Sequence, residues 1–100
     1  MKIQAVLFVL FKHELRPKIV KLLLEANQYL SINEVTEKLN LHEEQFRSLV
    51  FQQLSKLEGA NILAGDYRSG EKHKAIKIFK INPELPDEIK TEIGRLAQYF

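Results

Sequence analysis

One hundred residues with a net charge of +2, 45% hydrophobic and 28% charged side chains, predict one ordinary soluble globular domain over 1–100. The absence of cysteine excludes disulfides, thiolate nucleophiles and thiolate metal sites, and is compatible with a reducing, cytoplasmic setting. So small a positive charge gives global electrostatics little weight, and local clusters must carry any nucleic-acid reading.

Lys2 precedes an apolar run from Ile3 to Phe11. No small-residue cleavage site follows it, and about ten residues fall short of the roughly 20 that a helical membrane span needs. A buried helix over 3–12 is expected instead, with no membrane partner. Val6, Leu7, Phe8, Val9, Leu10 and Phe11 follow one another without a polar break. A helix apolar on every side must be covered on every side, and a partner chain is the simplest cover.

Pro17 marks the first turn of a second helix, where its missing N–H costs nothing. Ile19, Val20, Leu22, Leu23, Leu24 and Ala26 form its apolar stripe, which ends near Asn27. Ser31-Ile32-Asn33-Glu34 reads as a capping box opening a short helix, with Val35 and Leu39 facing inward. Asn40 stops that helix, because asparagine tolerates the left-handed backbone a sharp stop requires. A longer helix begins near His42. Phe46, Leu49, Val50, Leu54 and Leu57 recur on one face of it until Ala60-Asn61, where Asn61 again suits a left-handed position. Runs at 62–68 and 74–81 flank Ser69-Gly70-Glu71-Lys72 and read as a β-hairpin. Asn82-Pro83 and Pro86 then break the chain. Asp87 and Glu88 open a last helix over 86–100, whose stripe is Ile89, Ile93, Leu96, Ala97 and Phe100.

This order resembles the winged helix-turn-helix regulators of the ArsR type, with MarR-type regulators second on the same architecture. The matching residues cover most of the chain. Leu15-Arg16-Pro17-Lys18-Ile19-Val20-Lys21-Leu22-Leu23 resembles the family's Pro/Arg-led first helix, and Ser31 to Val35 with Leu39-Asn40-Leu41 its supporting helix and turn. Gln53 to Leu57 and Ala60 to Leu63 resemble the passage from recognition helix to wing, with Gly70 at the expected wing tip. Asn40 and Asn61 stand where the family usually carries glycine. The recognition helix is about four residues longer than usual, one turn, which keeps its buried face. The Cys or His/Asp clusters of metal-sensing members are not legible here.

The resemblance implies an α+β, mainly α, winged helix-turn-helix with a two-stranded hairpin wing. Its core would span 14–81, and helices 3–12 and 86–100 would serve dimerisation. It further implies a repressor acting on double-stranded DNA.

The residues themselves give the contacts. Outward positions at the start of the long helix are His42, Gln45, Arg47, Ser48 and Gln52, with Glu43 and Glu44 beside them. Arg47 can donate twice to guanine, and Gln45 or Gln52 can pair with adenine, whereas the two carboxylates are repelled by phosphate and serve the helix N-terminus. In the hairpin, Arg68, Lys72, His73, Lys74, Lys77 and Lys80 crowd against Asp66 and Glu71. Arg68, Lys72 and Lys74 are the expected phosphate contacts, although lysine also protects exposed strand edges. Tyr67 is expected in core or strand packing, not in a DNA contact. Val6, Leu7, Leu10, Ile89, Ile93, Leu96 and Phe100 are the expected dimer contacts. His13, His42 and His73 lack ligand spacing, Asp87, Glu88 and Glu92 lack partners, and no activated nucleophile or Gly-rich phosphate loop occurs. No metal, cofactor or enzymatic activity is expected, and no small-molecule effector is indicated. The alternative is a winged helix used for protein interaction or assembly, motivated by the acidic reading edge and low net charge.

Overall fold

A computed structural model describes residues 2–100, the Glu43 side chain excepted. The elements run α1 (Ile3–Leu10), α2 (Leu15–Ala26), β1 (Leu30–Ser31), α3 (Ile32–Lys38), α4 (Glu43–Gly59), β2 (Leu63–Ser69), β3 (Ala75–Ile81) and α5 (Asp87–Ala97). A short 3₁₀ turn at Glu71–His73 joins β2 to β3. The sheet is antiparallel in the order β1-β3-β2, with Leu63 opposite Ile81 at one end of the hairpin and Ser69 opposite Ala75 at the other. The expected hairpin is therefore present, but the sheet has three strands, not two. Leu30 and Ser31 pair with Phe79 and Ile78. Two residues carry no period-2 signal of their own, and β3 alone makes them a strand.

Sharp helix stops fix how these elements meet. Asn27, Asn40 and Asn61 adopt left-handed φ of 48°, 59° and 62°. At Asn40 the N–H donates to the Glu37 carbonyl at 2.9 Å and that of Leu41 to Thr36 at 3.1 Å. At Asn61 the same pair recurs, Asn61 to Glu58 at 2.9 Å and Ile62 to Leu57 at 3.0 Å. Both are Schellman motifs, with asparagine where glycine commonly stands. Asn61→Ala is expected to cost about 1 kcal/mol, since other L-residues pay that much in this region, while Asn61→Gly keeps the stability. Denaturant melts of both variants check it; equal losses would show that the Asn61 side chain, not its backbone, matters.

The core gathers Ile19, Val20 and Leu23 from α2, Val35 from α3, Val50, Leu54 and Leu57 from α4, and Phe79 from β3. The inward faces expected for these helices are the buried ones, with Leu39, Phe46 and Leu49 half-buried at the margin. Arg16 clamps α1 onto this body. Its Nε donates to Gln53 Oε1 at 2.8 Å and its Nη1 to the Val9 carbonyl at 2.9 Å. Gln53 is buried, so the clamp satisfies an amide that would otherwise be stranded.

The terminal helices require a correction. Val6 and Leu10 of α1 are 2% and 0% exposed, and Ile89 and Ile93 of α5 are 4% and 2% exposed, within a single chain. Four of the seven expected dimer contacts are thus spent on the chain's own core. Leu7, Leu96 and Phe100 are half-buried. The apolar surface left outside is aromatic: Phe8, Phe11 and Tyr99 are more than 60% exposed. Phe11 and Phe100 meet edge to face at 5.9 Å, joining the two helices' patches.

Candidate nucleic-acid interface

The site is built on α3, α4 and the β2–β3 hairpin. Ser31 and Glu34 open α3 with a full capping box: the Glu34 N–H donates to Ser31 Oγ at 3.2 Å, and the Ser31 N–H to Glu34 Oε1 at 3.0 Å. The Asn40 stop then turns the chain into α4, whose N-cap is His42. Its inner stripe fills the core, so the opposite face is left to solvent. His42 at the N-cap and Gln45, Arg47, Ser48 and Gln52 on α4 all lie exposed, and Glu44 is exposed beside them.

The hairpin stands next to that face. Lys72 and Lys74 are exposed at its tip, which turns on left-handed Lys72 and His73, with φ of 56° and 61°, and not on Gly70. Between α4 and the hairpin lies a cleft of about 460 Å³, lined by Asn33, Arg47, Phe51, Tyr67, Ile76 and Lys77 among others. The α4 outer face and the hairpin thus share one surface.

Two of the expected DNA contacts are tethered inside the chain. Arg47 Nε donates to Asn33 Oδ1 at 2.8 Å, and Arg68 Nη2 to Glu34 Oε1 at 2.7 Å. Lys77 holds Glu58 at 2.8 Å, and that pair passes so close over Gly65 that a Cβ there would collide with the Glu58 carboxylate. Lys72 and Lys74 make no ion pair among the described residues.

The Ser31 backbone N–H, helped by the Ser31 hydroxyl and the Arg68 guanidinium, holds the Glu34 carboxyl below its ordinary value of 4.5. The hydrogen bond from Lys77 to Glu58 raises the Lys77 ammonium above its ordinary range. A carboxyl depressed in the folded state stabilises above its unfolded pKa and loses that contribution as pH falls through the folded one. Unfolding midpoints should therefore decline below about pH 4.5, and Glu34→Gln should flatten that part of the profile. An unchanged profile would show that Glu34 contributes nothing at its solvent-open position.

Sequence reasoning missed three side chains here. Phe51, Tyr67 and Ile76 are 43%, 62% and 36% exposed, and all line the cleft. The expectation for Tyr67 is core or strand packing. Instead it stands exposed, with Lys77 Nζ 5.7 Å from its ring centroid, on a strand whose residues beyond Ala64 are all exposed. The signal for Phe51 was available: it falls off the inner stripe and four residues after Arg47, hence on the same face.

No family model and no curated protein matches this chain. Among solved structures, a chain described as a possible transcriptional regulator from Methanosarcina mazei Go1 superposes on 99% of this chain and 79% of its own length. Its TM-score is 0.68 at 19% sequence identity. The fold is a winged-helix α+β fold. In it α3 and α4 form the helix-turn-helix, and β2–β3 is the wing. At that identity the likeness carries the fold and nothing finer. No helix among the described residues is long and apolar enough to cross a membrane.

Proposed function

We propose that this chain is a non-enzymatic, cytoplasmic DNA-binding regulator of transcription, acting as a homodimeric repressor. The observation that carries the reading is the shared surface of α4 and the wing. Gln45, Arg47, Ser48 and Gln52 lie exposed on the helix, and Lys72 and Lys74 at the wing tip beside it. In this role the start of α4 enters the major groove, where Arg47 leaves Asn33 for a guanine edge. The wing lysines neutralise phosphates, which fixes register and supplies affinity without sequence information. The solved neighbour's description supports a regulatory role.

The dimer in this proposal forms through Leu7, Phe8, Phe11, Leu96, Tyr99 and Phe100. A patch of large exposed aromatics on a small protein marks an interaction surface. A two-fold axis there would set two α4 helices one DNA turn apart, roughly 34 Å. Repression follows from occupancy: a protein seated on a promoter excludes the polymerase.

Selection from a pool of random duplexes tests the reading. Enrichment of a palindrome with half-sites one turn apart is the expected result. A second reading, a winged helix that docks a protein, is favoured by exposed Phe51, Tyr67 and Ile76 in the cleft and by Glu44 at the reading edge. A pool that stays random with a folded dimer would replace the first reading by the second.

A further inference from the structure

Among the described residues of α4, Phe51 is the large apolar side chain that stays exposed, at 43%. The core does not need it: Val50, Leu54 and Leu57 fill the inner face of the same helix at 0% exposure. Phe51 follows Ser48 by three residues and Arg47 by four, so it shares the outward face with both. Its neighbours there are otherwise polar: Gln45, Arg47, Ser48 and Gln52. Toward the wing it borders the cleft shared with Tyr67 and Ile76, so the wing leaves its ring open to an approaching ligand.

An exposed aromatic ring on a base-reading face has a narrow choice of partner. Adenine, guanine and cytosine present donors and acceptors in the major groove, and thymine alone adds an apolar group, its C5-methyl. Phosphates and sugars offer a phenyl ring little that water does not. We infer that Phe51 is a specificity-determining residue that packs its ring on a thymine C5-methyl. The inference rests on the DNA-binding reading above and adds a base identity to it.

Spacing along the helix gives the register. Arg47 lies four residues before Phe51, about 6 Å along the axis, and base pairs rise about 3.4 Å. The recognised thymine therefore falls one or two base pairs from the guanine that Arg47 reads. One buried methyl strengthens binding about fourfold for each half-site, and about fifteenfold for a dimer using two.

Deoxyuridine provides the test, because uracil keeps thymine's pairing and lacks only the methyl. The duplex enriched from the random pool is titrated by fluorescence anisotropy with each thymine replaced in turn. Wild type, Phe51→Ala and Phe51→Leu are compared after melts establish that each is folded. One thymine in each half-site should weaken wild type about fourfold on replacement. Phe51→Ala should ignore that replacement, and Phe51→Leu, which keeps an apolar contact, should still respond. Tight binding with no thymine that separates wild type from Phe51→Ala would overturn the methyl contact and leave the DNA-binding reading standing. Failure to enrich any duplex would overturn both.

Discussion

Phe79→Ala is expected to lower the melting temperature by roughly 15–30 °C, the equivalent of about 3–5 kcal/mol in a domain of this size. Phe79 is fully buried on β3, the central strand, where it lies opposite Leu30 of β1 and Gly65 of β2. Deleting its ring removes the contact that unites the sheet with the helices and leaves a cavity that neighbours cannot close. Small domains hold only about 5–15 kcal/mol in total, so this one change takes a large share. Ile76, three residues earlier and 36% exposed, gives the control: Ile76→Ala should shift the midpoint far less. Thermal denaturation followed by circular dichroism reads both. A small loss for Phe79→Ala would mean that the three-stranded sheet is not the centre of the core.

The second large effect concerns the wing. Lys72→Ala with Lys74→Ala should weaken binding to every duplex alike, because phosphate contacts carry no sequence information. Each lost contact removes about 0.9 from the slope of log affinity against log salt. Two contacts per protomer, four in the proposed dimer, therefore remove about 3.6, roughly 4,000-fold in affinity at 0.1 M salt when extrapolated from 1 M. Arg68→Ala should cost less than either lysine, since its guanidinium already spends a charge on Glu34 at 2.7 Å. Anisotropy titrations across a salt series separate these outcomes. An unchanged slope in the double variant would remove the wing from the mechanism.

Most of the fold was legible in the chain because its boundaries are written locally. The Ser31–Glu34 capping box and the stops at Asn40 and Asn61 depend on residues within one helical turn, and they appear where expected. The hydrophobic stripes of α2 and α4 likewise fix which faces turn inward. What was not legible depends on tertiary partners. β1 exists only through its pairing with Phe79 and Ile78. The apolar α1 looked too exposed for one chain to cover, yet Val6 and Leu10 find cover in the chain's own core, leaving Phe8 and Phe11 outside.

The candidate site divides in the same way. Exposure of Gln45, Arg47, Ser48 and Gln52 follows from the helical period. The tethers of Arg47 to Asn33 and Arg68 to Glu34 join residues 14 and 34 positions apart, beyond the reach of any local pattern. Composition also hid the apolar cleft: β2 reads as a strand whichever way Tyr67 points, and which of its side chains are covered depends on tertiary packing.

The most direct test of DNA recognition is a titration of the purified full chain against the DNA upstream of its own coding sequence and against a scrambled duplex. It should be run at several salt concentrations. Tighter binding to the native fragment, falling steeply as salt rises, is the predicted result. A folded protein that binds neither duplex at any salt concentration would contradict it.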